Sequence, residues 1–207
     1  MVQLMPNIIT AKTLPEKLLR LDGISGNQIQ QHFTLYEGYV KKLAEVREKL
    51  ENISEEELKS ANQSYSQLRS LKVAETFAMN GITLHEDYFG NLGGEGTKTG
   101  DRVEHEIKKE FGSVETFKNN FAACGMAVRG WVMLVWNHFT NKLELVGSDI
   151  HDTGSIWRAT PILIMDVYEH AYMIDYGVKR PPYIEAFMKN IDWNEVAKRL
   201  EGVTAKK

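Results

Sequence analysis

The sequence predicts an α+β fold in which a long helical hairpin precedes a half that mixes helices with strands. Three observations carry this. Apolar residues recur at helical spacing from Ile29 to Val46, and a second helical pattern runs on towards Asn91. The cluster Gly93-Gly94-Glu95-Gly96 then breaks the chain, and beyond it short apolar runs alternate with further helical stretches. The 207 residues, 43% hydrophobic and 26% charged, are enough for one large domain or two small ones around a sizeable core. The glycine cluster puts the expected division at 1–94 and 95–207.

Ile24-Ser25-Gly26-Asn27 reads as a helix start, after which Ile29, Phe33, Tyr36, Val40, Leu43 and Val46 line one face through Leu50. Ser54-Glu55-Glu56-Glu57 restarts with acidic residues at the positive end of a helix, and the pattern continues past Leu68 and Ala74 with room for a break. Two long helices joined by a few residues imply an antiparallel hairpin. After the glycines, 101–111 and 113–125 read as helices, 131–136 as a strand, 137–141 as a turn and 142–146 as its alternating partner. A third apolar run, 161–165, ends at Asp166; Pro181-Pro182 opens another helix to about Asn190, and Asp192-Trp193 starts the last.

Composition excludes several classes. Cys124 is the only cysteine, which rules out an intrachain disulfide, a CxxC redox pair and a thiolate-rich metal site, so any metal must be held by imidazole and carboxylate. The net charge is −3, with no long basic run to meet a nucleic acid; Lys41-Lys42 and Lys206-Lys207 read as solvated surface. No apolar run is long enough for a membrane helix, and Met1 to Lys12 lacks the order of a secretion signal, so a cytoplasmic protein is expected.

Of the six histidines, His105 lies between Glu104 and Glu106 and His138 lies in the hairpin turn, both surface positions. His32 falls on the apolar face of the first helix and His85 follows Ile82-Thr83-Leu84; each alone fits a core histidine as well as a ligand. Asp166 ends an apolar run with His170 four residues on, and the two converge if a helix starts there. Such a set suits zinc, iron or manganese. Spacing alone neither chooses the metal nor shows that these residues meet.

The segment Asp166-Val-Tyr-Glu-His-Ala-Tyr172, followed by Ile174-Asp175-Tyr176 and Arg180-Pro181, closely resembles the D-x-W-E-H-A-Y signature of iron/manganese superoxide dismutases. Ile24-Ser25, His32, Tyr39-Val40, His85-x-x-Tyr88-Phe89, Gly130-Trp131 and Asp192-Trp193 extend the resemblance over most of the chain. It implies a three-stranded antiparallel sheet flanked by helices in the second half, with a metal site between the halves. It also implies one iron or manganese ion held by His32, His85, Asp166 and His170, alternating between 3+ and 2+ as superoxide becomes oxygen and hydrogen peroxide. Asp166 would bond the solvent on that metal, and a further side chain would set its protonation. In iron members that side chain is commonly a glutamine four residues before the second histidine, here Gly81; in manganese members it comes from the sheet region, where this chain has His151. The resemblance therefore implies that His151 donates to metal-bound solvent, and by analogy with archaeal members the balance tips to iron or to use of either metal.

Four departures stand out. The family separates its first ligand from the gateway tyrosine by eight residues, whereas His32 and Tyr39 are seven apart, as if a bulge were missing; failing Tyr39, Tyr36 is the candidate. Tyr36 also replaces the usual gateway histidine, Met173 replaces the tyrosine that meets it across the dimer, and Tyr168 replaces the signature tryptophan. Glu169 is retained and would reach the metal-binding histidine of a neighbouring subunit, implying a homodimer or a tetramer built from it. Trp131 and Arg180 match positions that line or support the substrate funnel, into which local positive potential would steer a small anion. Two other readings stay open: a metal protein with little turnover, and a structural protein without chemistry.

Overall fold

The computed structural model describes residues 9–96, 98–154 and 156–205. The readings of Lys206-Lys207 and of the first eight residues lie outside the described residues. After a short 3-10 turn at Glu16–Arg20, helix α1 spans Gly26–Glu51, the short α2 Glu55–Lys59 and α3 Gln67–Gly90. Ser25 caps α1 by accepting from the Gln28 N–H, and Ser54 and Glu57 form a reciprocal capping box on α2. The second helical stretch is thus broken: residues 60–66 leave the helix, Asn62 bonds the Ser64 and Tyr65 N–H groups, and Ser66 caps α3. Helices α1 and α3 pair antiparallel, His32 beside Phe89, Tyr39 beside Phe77, and Arg47 beside Glu75.

Helices α4 (Asp101–Phe111) and α5 (Val114–Ala127) lead into strands β1 (Trp131–Asn137), β2 (Lys142–Ser148) and β3 (Ala159–Asp166). The sheet is antiparallel in the order β2-β1-β3, so β1 is central and all seven of its residues are buried. Each strand runs a residue or more past its apolar run, because pairing continues through the buried polar residues Asn137, Ser148 and Asp166. A register shift lets Pro161, which has no N–H, sit opposite Val135. A 3-10 turn (Glu169–Ala171), α6 (Met173–Tyr176), α7 (Arg180–Lys189) and α8 (Trp193–Thr204) complete the chain. Buried residues from both halves form one continuous core, from Ile29 and Tyr88 through Trp131 and Ile164 to Phe187. Among the described residues no helix is long and apolar enough to cross a membrane.

Asn91, just past α3, joins the halves. Its side chain accepts from the Ile164 N–H and donates to the Ile164 and Tyr88 carbonyls, so the end of the His85 helix is fixed against the strand that carries Asp166.

Candidate metal centre

Four elements bring His32, His85, Asp166 and His170 together, with one ligand atom from each lying within 4.8 Å of all the others. His32 and His85 come from facing positions of α1 and α3, Asp166 ends β3, and His170 lies in the 3-10 turn. The Asp166–His170 convergence is not helical. Tyr168 is extended (φ −60°, ψ 153°), its N–H bonds Asp166 Oδ1 at 2.8 Å, and the turn then swings His170 back. This corrects the expectation that a helix starts at Asp166.

Three imidazoles aim their Nε2 atoms at one carboxylate oxygen: Asp166 Oδ2 lies 3.0 Å from His32, 3.1 Å from His170 and 3.6 Å from His85. His32, His85 and Asp166 are buried, while the His170 side chain is 28% exposed and forms the open side. Burial alone would raise the Asp166 carboxyl, but the His170 charge and hydrogen bonds from His170 and His32 outweigh it and hold the group ionised. Burial pulls His32 down, and pulls His85 down to about 3, where His32 opposes its charge as well. For His170 burial also works downwards, but the adjacent Asp166 charge and hydrogen bond prevail and raise it.

The donor set fits a cation. His85 Nδ1 stands 2.6 Å from the Gly81 carbonyl and must carry the proton, so a neutral imidazole keeps a bare lone pair on Nε2. That atom is buried, has no hydrogen-bond partner and faces a carboxylate oxygen, an arrangement that repels unless positive charge lies between. His32 Nδ1 is a second buried nitrogen without a partner. Three nitrogens and a carboxylate suit iron, manganese or zinc.

Around this cluster, Trp131 pairs across the strands with Asp166, which sets both side chains on one face, and its ring stands edge-on to His85 at 5.0 Å. Its indole N–H donates to His151 Nδ1 at 2.9 Å, and His151 Nε2 lies 2.8 Å from the Tyr39 hydroxyl. His151 is 2% exposed, and burial lowers it; Tyr39 is raised by burial and by Asp166. Helix α1 is regular throughout, and seven residues turn a helix about 700°, within about 20° of two full turns, so Tyr39 falls on the face of His32 without a bulge. Tyr36 turns elsewhere: its hydroxyl donates to Glu86 and accepts from the Lys12 N–H, both at 2.8 Å. Tyr168 stacks on His170 at 5.1 Å and is pushed up to about 12, chiefly by burial. Arg180 donates to the Gly125 and Val128 carbonyls at the end of α5 and approaches the Tyr172 hydroxyl, so its hydrogen bonds tie the start of α7 to the end of α5. Glu169 is exposed, with no side-chain partner among the described residues.

Residues 98–199 match the family model of iron/manganese superoxide dismutases, C-terminal domain. The chain is also 43% identical over 184 residues to superoxide dismutase [Fe] of Aquifex pyrophilus, covering 87% of this chain and 86% of that protein. The chain belongs to the iron/manganese superoxide dismutase family. Superoxide dismutase [Fe] of Cupriavidus metallidurans is 36% identical over 185 residues, covering 87% and 90% of the two chains. Superoxide dismutase [Mn] 2 of Haloferax volcanii is 40% identical over 126 residues, covering 59% and 62%.

Sequence reasoning missed several residues that hold this dismutase-family site. Gln28 donates to the His170 carbonyl at 2.6 Å and accepts from the Ile174 N–H, clamping the His170 segment to α1. Tyr183 donates to the Asp166 carbonyl at 2.6 Å and touches the Tyr88 hydroxyl. Phe77 packs on His151 at 4.4 Å. A polar Gln28 on an otherwise apolar face was the one visible signal.

Proposed function

We propose that the chain dismutates superoxide, two anions and two protons giving oxygen and hydrogen peroxide, with one iron or manganese ion held by His32, His85, Asp166 and His170. What carries this reading is the convergence of three Nε2 atoms on one buried carboxylate oxygen, with the His85 lone pair directed inward. When bound, such an ion supplies reversible one-electron exchange between its 3+ and 2+ states.

The residues of the chain do the rest. Asp166 offers the single negative charge among three neutral donors. The Gly81 carbonyl fixes the His85 tautomer, and the Tyr168 N–H fixes the Asp166 carboxylate. Trp131, Tyr168 and Phe89 exclude bulk water around the histidines. Tyr39 and His151 form the hydrogen-bonding pair beside the site from which a proton reaches the reduced product. Iron is favoured, with manganese as the second choice, by the names of relatives that match 87% of the chain.

The chain works as a homodimer in this reading, supported by the unpartnered Glu169 beside the half-open His170 and by the exposed Met173 (39%) and Ile174 (49%) next to them. A cytoplasmic location and a division at 94/95 belong to the same proposal; Gly93 and Gly94 support the latter, since both donate to the Asn190 carbonyl where the two halves touch.

The test is superoxide turnover by protein loaded separately with iron and with manganese, the metal in each sample being counted. Activity in either form that disappears in His170→Ala is expected. Full metal without turnover in both forms overturns the dismutase reading, and no metal in either overturns the ligand set.

A further inference from the structure

The Trp131–His151–Tyr39 chain fixes the direction of every proton in it. An indole N–H only donates, so His151 Nδ1, 2.9 Å away, has to accept and is bare; a proton there would face the Trp131 proton head-on. The imidazole's proton is therefore on Nε2, and the Tyr39 oxygen, 2.8 Å away, accepts it. Tyr39 then has its own O–H left to give. An amide in the place of His151 would own two N–H bonds and could serve two acceptors; the imidazole owns one and has already placed it.

We propose that Trp131 is a positioning residue that locks His151 as the Nε2–H tautomer, so that its one proton is committed to Tyr39 and the donor presented to the metal site is the Tyr39 hydroxyl rather than His151. This rests on the metal-site reading above. The two hydrogen bonds, from Trp131 and to Tyr39, hold the ring by both nitrogens, and the rings of Phe77 and Tyr168 pack against it with centroids 4.4 Å and 5.6 Å away. Gly81 holds the remaining wall, since a Cβ there would stand 3.0 Å from the Tyr39 ring.

Neutron diffraction from deuterium-exchanged crystals of the metal-loaded full chain reads the protons directly. A deuteron on His151 Nε2 directed at the Tyr39 oxygen, with Nδ1 bare, is expected; deuterium on Nδ1, or on both nitrogens, overturns the proposal. Tyr39→Phe removes the acceptor and keeps the ring. If Trp131 is the lock the deuteron stays on Nε2 in that variant, whereas its transfer to Nδ1 would assign the tautomer to Tyr39 instead and refute the role of Trp131. In Trp131→Phe the deuteron is expected to divide between the two nitrogens, and one retained wholly on Nε2 counts against the lock. Anomalous scattering from the same crystals counts the metal, so a failed metal site is told apart from a failed tautomer.

Discussion

Gly81→Ala tests how tightly the Tyr39 pocket is built. The added Cβ would lie 3.0 Å from Tyr39 Cγ and Cδ1 and 3.2 Å from Cδ2, where ordinary contact begins near 3.4 Å. The ring has to withdraw by roughly 0.4 Å, and its hydroxyl is held at 2.8 Å by His151. Overpacking of this kind costs about 1–3 kcal/mol, and a stretched hydrogen bond forfeits about 0.5–1.5 kcal/mol. Alanine inside a helix returns about 1 kcal/mol against glycine. The net expectation is a loss of about 0.5–3.5 kcal/mol, read as a lower urea midpoint of the metal-loaded protein. Metal content should hold, because the Gly81 carbonyl that orients His85 is backbone and remains, while turnover per metal falls. A variant at least as stable as its parent, with full turnover and an unmoved Tyr39, refutes the reasoning.

Asp166→Asn removes the only negative ligand and should weaken metal retention at least about tenfold in chelator competition. Asn91→Ala leaves the buried Ile164 N–H and carbonyl without their partner and should cost about 2–6 kcal/mol in urea unfolding, with metal lost at lower urea than in the parent. Burial, joined by the Glu86 carboxylate against the opposing Lys12 N–H, pushes Tyr36 up to about 12. The unfolded phenol ionises near pH 10, so between about pH 10 and 12 the unfolded chain holds fewer protons and stability falls; urea midpoints should drop less over that range in Tyr36→Phe. If the chain forms the proposed homodimer, Glu169→Gln should raise its dissociation constant by sedimentation, and an unchanged constant would remove Glu169 from the proposed interface.

The helices and strands were legible where burial writes a period into the sequence. Ser25 and Ser113 announce their helices, and residues 131–136 of β1 read as one apolar run, with Asn137 assigned to the turn although it pairs as the last residue of the strand. The break at residues 60–66 was not fixed in advance, since its polar residues fit a helix surface as well as a loop. The ligands were legible through the Asp166–Tyr172 resemblance, yet the route by which Asp166 and His170 converge was not: an extended Tyr168 and one 3-10 turn leave no periodic trace. The partners of His151 were hidden for a different reason. Trp131 and Tyr39 meet it only after β1 and α1 pack on the loop that follows β2, and no local rule connects positions 39, 131 and 151.

The Gln28 clamp ties the completion of the ligand set to contacts between distant parts of the chain. His32 and His85 meet where α1 lies along α3, but 134 positions separate His32 from Asp166, and the backbone that carries His170 is fastened to α1 by Gln28, which grips its carbonyl and the Ile174 N–H. Closing so long a loop costs entropy before its contacts repay it. An ion entering early meets two imidazoles; one entering late meets a finished cage. The hydrogen bonds that seat the fourth ligand are thus also the ones that fasten the 170–174 segment to the first helix.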